Sequence, residues 1–456
     1  MSNRKNAHRR RLRVAVLAVV CGAVFAAFFA RLAWMQFARA DYYADKAAEA
    51  SSASYTITQH AARGVITDAN GVVLARDTTV YDLYLRIPAP PGTDLRETVK
   101  NIETLTGSKD VETQLAAFCS AASAGELAVA RGADADMLTA FYTAGLVQSG
   151  AVRPAARGVR SWMGGTLLPH ALGLTGPITA AQWPAAKARG LAMDAVIGQS
   201  GLEAAYDDLL RGQDGRVLIN TGFDGAVRRT AQLRQAVPGA ALVLTVDSSL
   251  QKALQDALIS QIHTLQTTKA AGAGRECRAG AAVVVDVKTG GILAAASVPG
   301  FDLNACRADY AVLAADTAAP LLDRTAQGLY APGSAFKPAV ATAALTAGID
   351  PAATVNCTGR YGFYSGYQPG CLQYGHSGPV DLRTALEHSC NIFFYDVGRR
   401  LGVDTFSAMA QQLGLAAPTG VEVAEARGRL TWSSDGNYQA GLTLMAAIGQ
   451  GNTAVT

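Results

Sequence analysis

Tyr330-Ala331-Pro332-Gly333-Ser334-Ala335-Phe336-Lys337-Pro338 reads as a loop that delivers a serine to the start of a helix. Pro332 and Gly333 break any preceding element. The apolar, Ala-rich run from Ala339 to Leu345 can continue as a buried helix. Ser334 and Lys337 stand three apart, so on a helix they share a face and their side-chain tips can meet. A serine hydroxyl is a weak nucleophile until a base takes its proton. A lysine kept neutral by desolvation can be that base. The same spacing recurs at Ser2–Lys5, in a basic tail, and at Ser249–Lys252, where a polar-faced helix opens. Neither setting invites chemistry, so context has to separate the three.

The chain has 456 residues, enough for two or three domains. Half of them are hydrophobic and 17% are charged, which permits a large packed core. The net charge of +4 is unevenly placed. Arg4, Lys5, Arg9, Arg10, Arg11 and Arg13 lie in the first thirteen residues, with no acid among them. The remainder holds 34 basic against 36 acidic residues, a net of −2. No basic body suggests a nucleic-acid partner. Val14 to Ala30 is free of charge, and Leu32 to Phe37 extends the apolar character past Arg31. Residues 14–36 therefore read as a transmembrane anchor, with Arg31 reaching for the interface. The basic tail, residues 1–13, stays cytoplasmic by the positive-inside rule, which puts everything after about residue 40 on the other side. A cleaved signal peptide is the competing reading, with Ala38-Arg39-Ala40 as a poor small-x-small site.

Past the anchor, residues 41–60 read as a short polar helix or linker. Asn70-Gly71, between the β-branched runs Val65-Ile66-Thr67 and Val72-Val73, signals a hairpin. Ser200 is placed to cap a helix carrying Leu202, Tyr206, Leu209 and Leu210, which Gly212 ends. A domain boundary is expected near Pro238-Gly239, giving segments 37–238 and 239–456. The second opens with a strand over Ala241–Val246. Asp247 then caps a long helix with Leu250, Leu254, Leu258, Ile262 and Leu265 on one face. A hairpin follows, with strands on either side of Lys288-Thr289-Gly290-Gly291. The pattern is α+β, an antiparallel sheet covered by helices. The seven cysteines, Cys21, Cys119, Cys277, Cys306, Cys357, Cys371 and Cys390, show no Cys-x-x-Cys and no Cys/His spacing typical of zinc. Cys357 and Cys371 flank a Gly/Tyr-rich loop and are the best-placed disulfide pair.

Downstream of Ser334, Ser389-Cys390-Asn391 is the sole Ser-x-Asn in the chain. On a loop this pair can point a hydroxyl and an amide into one cleft, the first to pass a proton and the second to hold a peptide group. Both residues are also good helix N-caps. His388 is the one histidine beside a motif, and it reads as structural or substrate-facing rather than as a base.

Ser-x-x-Lys, then Ser-x-Asn 55 residues later, on an anchored chain, resembles the penicillin-binding transpeptidases and serine β-lactamases. The chain is similar in particular to the monofunctional, class B penicillin-binding proteins. The likeness runs through Arg63-Gly64-Val65-Ile66-Thr67-Asp68, Gly201-Leu202-Glu203, Leu210-Arg211-Gly212 and Leu244-Thr245-Val246-Asp247. It continues through Asp286, Thr289-Gly290, Asp323-Arg324, Glu425 to Gly428 and Gly449-Gln450-Gly451-Asn452. The resemblance implies a transmembrane helix, a mixed α/β pedestal or dimerisation domain, and a β-lactamase-like transpeptidase domain. It implies a peptidoglycan D,D-transpeptidase of the bacterial cell membrane. Ser334 would be the nucleophile and Lys337 the general base. Ser389 would relay the proton, and Asn391 would bind the stem peptide ending in D-Ala-D-Ala. β-Lactams would acylate the same serine, and a membrane glycan polymerase of the shape, division or sporulation class would be the partner. No metal or organic cofactor is implied.

The family's third motif, Lys-Thr/Ser-Gly, should follow Asn391. The one Lys-Thr-Gly here, Lys288–Gly290, precedes Ser334 and reads as a turn. The sequence is therefore expected to be incomplete at its C-terminal side, lacking strands that wall the cleft. A non-catalytic scaffold or a β-lactam-binding fragment is the second reading. A β-lactamase would need a deacylating glutamate motif, and a β-lactam sensor would need several spans; neither is found.

Overall fold

The computed structural model describes residues 2–39, 53–121, 125–193, 195–221, 227–372 and 375–456. The chain forms two compact units. The first comprises residues 1–62 and 212–238; the second comprises 63–211 and 239–456.

In the first unit, helix α1 (Ser2–Ala33) continues into a π-helical turn over Trp34–Ala38. Its segment Ala15–Ala38 is long and apolar enough to cross a membrane. The unit also holds a three-stranded antiparallel sheet in which Ala53–Gln59 pairs with Gly215–Thr221, and that strand with Val227–Arg234. Where a short helix or linker is expected, 53–59 is a strand, and Thr56-Ile57-Thr58 supplies β-branched residues suited to it. Residues 41–52 of that stretch lie outside the described residues.

The second unit begins at Arg63. Strand β1 (Ile66–Thr67) turns through Asn70-Gly71 into the fifteen-residue β2 (Val73–Ile87). Gly71 takes φ +83°, and the Asp68 N–H donates to the Val72 carbonyl at 2.9 Å. Helix α2 (Leu95–Thr106) is capped by Asp94 and stopped by Gly107. Strand β3 (Gly125–Ala133), helix α3 (Ala135–Thr143) and strand β4 (Val152–Trp162) follow. Both strands pair antiparallel with β2, and α2 and α3 bury Val99, Ile102 and Phe141 with Leu83 and Leu85. The expected 201–212 helix is broken at Tyr206 into Gly201–Ala205 and Asp207–Leu210. Ser200 does not cap it; its hydroxyl accepts the Leu174 N–H instead.

The expected strand at 241–246 shortens to β5 (Leu242–Val243), parallel to β1. Asp247 caps α4 (Ser248–Thr268) as expected, through the Ser249 and Leu250 N–H groups. Strands β6 (Gly280–Val285) and β7 (Ile292–Val298) form the antiparallel hairpin. Asp286 closes its turn, accepting from the Lys288 N–H at 3.0 Å and the Thr289 hydroxyl at 2.7 Å. Lys288-Thr289-Gly290 is therefore a turn held by its own aspartate. Helices α5 (Lys337–Thr346), α6 (Leu382–Glu387), α7 (Asn391–Leu401), α8 (Val403–Gln412) and α9 (Ala440–Ala446) build the largest core. Ala339, Val340, Ala341, Ala343 and Ala344 of α5 are all buried, while Pro338, Thr342 and Leu345 face outward.

A buried charge network joins Arg63 and Glu203, which lie far apart in sequence. Arg63 Nε lies 2.5 Å from Glu203 Oε2, and Arg160 Nε lies 2.7 Å from Glu203 Oε1. Arg63 also reaches Asp207 at 2.9 Å and the Glu203 carbonyl at 2.8 Å. Gly64 donates to the Leu210 carbonyl, and a Cβ there would stand 1.9 Å from the Ala240 oxygen. Glu203 is fully buried, so removing its carboxylate strands two guanidinium groups away from water. Glu203→Ala is expected to cost roughly 3–5 kcal/mol of stability. Chemical denaturation of the two proteins measures this; a loss below about 1 kcal/mol, the level of an exposed pair, would contradict it.

Candidate active site

Ser334 lies in a 3₁₀ turn, Gly333–Phe336, and α5 begins at Lys337 with Pro338 in its first turn. Proline suits that place because the N–H it lacks has no helical acceptor there. Phe336 is buried beneath the turn, edge-on to Phe406. Ser334 itself is exposed. Behind the turn, the Gly333 N–H donates to the Gly449 carbonyl at 2.9 Å. A Cβ on Gly449 would come within 2.2 Å of the Gly333 oxygen, and Gly449 takes φ +72°. Gly449 therefore lets a second backbone brace the serine turn directly.

Ser389 and Asn391 stand between α6 and α7. Their arrangement is a helix stop rather than the N-cap that their residue types suggest. The Cys390 N–H donates to the Ala385 carbonyl at 2.9 Å, and the Ser389 N–H to the Leu386 carbonyl at 3.3 Å. That pair of bonds is the Schellman pattern, which asks for a left-handed residue after the cap. Ser389 fills that position with φ +52°, at a cost of about 1–2 kcal/mol for a residue with a Cβ. Asn391 then starts α7.

Lys337 joins the two segments. Its side chain is 1% exposed. Nζ donates to the Ser389 carbonyl at 2.8 Å, to Ser389 Oγ at 3.0 Å and to Asn391 Oδ1 at 2.7 Å. Because an amine cannot accept from an amide NH2 while charged, the Asn391 amide must turn its oxygen to Lys337. Its Nδ2 donates to the Gly370 carbonyl at 3.3 Å. Among the described residues no carboxylate pairs with Lys337. Burial pushes the amine down from 10.5 to about 8. Lys337 also stands at the first position of α5 and faces the first residue of α7, so two helix dipoles oppose its charge.

The structure thus brings Lys337, Ser389 and Asn391 into direct contact. It sets Ser334 one turn before Lys337, and among the described residues no hydrogen bond joins the two side chains. The arrangement has an amine that ionises near neutral pH and one partner, Ser389 Oγ, that can either accept from Nζ or donate to it. That reversibility is what a proton relay needs. The His388 ring stacks on His376, with centroids 5.8 Å apart.

Residues 58–244 match the family described as Penicillin-binding Protein dimerisation domain, and residues 280–456 match the Penicillin binding protein transpeptidase domain. The chain belongs to the class B penicillin-binding proteins. Peptidoglycan D,D-transpeptidase MrdA of Salmonella typhimurium is 28% identical over 413 residues, covering 85% of this chain and 62% of the relative. The chain thus spans under two thirds of that relative's length. MrdA of Acinetobacter baumannii is 28% identical across 99% of the chain and 66% of its own length. Among solved structures, a complex of Penicillin-Binding Protein (PBP2) and MreC from Helicobacter pylori superposes with a TM-score of 0.70 at 22% identity, covering 89% of this chain and 75% of the other. A peptidoglycan synthase complex that coordinates polymerization and crosslinking gives 0.69 at 28% identity, covering 97% and 75%.

One feature of this penicillin-binding protein escaped the reading of its cysteines. Cys357, Cys371, His376 and Cys390 bring their donor atoms within 4.8 Å of one another. The spacings, fourteen, five and fourteen residues, are wider than a zinc-finger pattern, so only folding reveals the set. Cys357 and Cys371 are not joined by a disulfide. Three sulfurs and an imidazole are the donors of a closed tetrahedral zinc site, in which sulfurs stand about 3.8 Å apart given the ~2.3 Å zinc–sulfur bond. Cys390 lies between Ser389 and Asn391, and Cys371 Sγ accepts the Asn391 N–H at 3.4 Å. Metal analysis of the purified, reduced protein is expected to find about one Zn²⁺ per chain, by the four-donor geometry. His376→Ala should weaken its retention on dialysis; equal metal content in the two, or none in either, would contradict the assignment.

Proposed function

We propose that this protein is a membrane-anchored serine D,D-transpeptidase that cross-links peptidoglycan stem peptides through an acyl-enzyme. The observation that carries the proposal is the buried Lys337, with no carboxylate partner among the described residues, held by Ser389 and Asn391 one turn after an exposed serine. Ser334 Oγ attacks the carbonyl of the penultimate D-Ala, and Lys337 Nζ in its neutral form takes the hydroxyl proton. Ser389 Oγ, bonded to Nζ, passes the proton to the leaving D-Ala. Asn391 Nδ2 exchanges the Gly370 carbonyl for a carbonyl of the donor peptide. The acyl group then moves to an amine of a neighbouring stem peptide, which restores Ser334. A β-lactam acylates Ser334 by the same route. Catalytic hydrogen bonds commonly tighten only with substrate bound, which is consistent with the open Ser334–Lys337 pair.

The basic tail before α1 favours a cytoplasmic N-terminus, with residues after about 40 across the membrane. Segment 37–238 would serve as the pedestal and 239–456 as the transpeptidase domain. The synthase-complex neighbour supports a membrane glycan polymerase as partner.

Fluorescent penicillin is expected to label Ser334, and Ser334→Ala to abolish the labelling; adducts that persist in the variant would sink the mechanism. The rate of acylation should rise with pH. The base works only when deprotonated, and burial holds Lys337 at about 8. Half of the maximal rate is therefore expected near pH 8, with little below pH 6. A rate that is flat from pH 6 to 10 would rule out Lys337 as the base, on the ordinary one-proton titration of an amine.

A further inference from the structure

A hairpin runs from Cys357 to Cys371 beside the candidate site. The Cys371 N–H bond to the Gly359 carbonyl at 2.9 Å and the Arg360–Gly370 bridge close its base, and the Tyr364–Tyr367 bridge closes its tip. It carries Tyr361, Phe363, Tyr364 and Tyr367, and Arg360 is its sole charged residue. Tyr361 is buried; its hydroxyl donates to Asp396 Oδ1 at 3.0 Å and accepts from Arg399 Nε at 2.9 Å. The same Arg399 guanidinium covers one face of Phe363, 3.8 Å from the ring centroid, and Tyr364 meets that ring edge-on at 5.0 Å. Tyr367 rests against α9, where a Cβ on Gly441 would stand 3.3 Å from its ring. Yet Phe363 and Tyr367 are 57% and 41% exposed. Two aromatic rings are thus fixed in place and left open to solvent, on a hairpin whose Gly370 carbonyl accepts from Asn391 Nδ2. We propose that Phe363 and Tyr367 form a sugar-binding shelf, which stacks against the N-acetylated glycan that carries the donor stem peptide.

A pyranose ring offers an apolar face of C–H groups, rimmed by hydroxyl and acetamido groups. An aromatic face takes the first, while tyrosine hydroxyls and hairpin backbone groups take the second. An uncharged ligand suits a hairpin with one cation and no acid. Arg399 beneath it is already engaged by Asp396 and Tyr361. Rings held in place before binding lose little freedom on association. The reach agrees as well. Tyr367 lies three residues from Gly370, about 10 Å of extended chain. About 10 Å likewise separates the penultimate residue of an extended pentapeptide from the residue joined to the sugar. A donor carbonyl on Asn391 Nδ2 therefore leaves the glycan within reach of the shelf. The choice of a peptidoglycan sugar rests on the proposed transpeptidase reading.

The full chain, in a detergent without a sugar headgroup, is titrated calorimetrically with the disaccharide–pentapeptide and with the free pentapeptide. The first is expected to bind roughly tenfold tighter, the size of one or two aromatic contacts. Phe363→Leu combined with Tyr367→Leu keeps the apolar bulk and removes the flat faces. This double variant should bind both ligands equally, at the affinity of the free pentapeptide. Fluorescent penicillin, which carries no glycan, should label it at the wild-type rate. Equal affinity of the wild type for the two ligands, or a preference that survives in the double variant, would overturn the shelf. So would penicillin labelling that slows in the variant as much as its disaccharide–pentapeptide affinity falls, because the rings would then be props of the site. A wild type that takes neither the pentapeptide nor penicillin refutes the transpeptidase reading instead. The shelf is then decided by saturation-transfer NMR with the free disaccharide, whose signal is expected with the wild type and not with the double variant; no signal with the wild type overturns it.

Discussion

Lys337 imposes the constraint on which the catalytic-type core depends. An ammonium group withdrawn from water without a counter-charge is costly, and among the described residues no acid offsets it. Three oxygens satisfy its protons, and all three belong to Ser389 and Asn391. The α5 N-terminus and the α6–α7 junction must therefore stay in register. The tight core of Val340, Phe393, Phe394 and Phe406 around them supplies the rigidity. The same desolvation that makes the amine expensive also brings its titration toward neutral pH. Stability is given up at the point where a neutral amine is useful.

Two backbone devices hold that register. Gly449 has no side chain, so its carbonyl can brace the Gly333 N–H behind the serine turn. Ser389 occupies a left-handed position that glycine would fill without strain. Keeping a serine there retains a hydroxyl 3.0 Å from Lys337 Nζ. Strain of this kind persists only where surrounding structure over-determines it, and the two bonds of the helix stop do so here. The cysteine cluster sits directly behind this stop, and Cys371 and Cys390 connect its chemistry to Asn391.

In the 63–211 segment the organising element is again a buried charge, Glu203 between Arg63 and Arg160. Hydrogen-bonded on both oxygens, it ties the entry of the unit to strand β4 and to the short helices at 201–210. Close backbone approach at Gly64 completes the joint. Motifs that read as separate fragments along the sequence are thus one physical contact.

How much of this was legible follows from the range of the forces involved. The Asn70-Gly71 hairpin, the Asp247 cap, the Lys288–Gly290 turn and the buried Ala-rich helix after Lys337 are set by local chemistry, and each could be read from a few neighbouring residues. The short strand at 242–243, the break at Tyr206 and the strand at 53–59 depend on distant partners, and there local propensity misled. The Ser-x-x-Lys and Ser-x-Asn spacings named Ser334, Lys337, Ser389 and Asn391 as candidates. Their order along the chain could not reveal that Lys337 bonds to Ser389 and Asn391 rather than to Ser334. Nor could it reveal that three cysteines and a histidine converge behind them. Sequence by itself determined the local turns and caps, the apolar N-terminal helix and the candidates for the reactive groups, because turns, caps and periodicity act over a few residues. Tertiary structure decided the ionisation of Lys337, the strained setting of Ser389 and the thiol cluster, because burial and the meeting of side chains remote in the chain exist only once the core is packed.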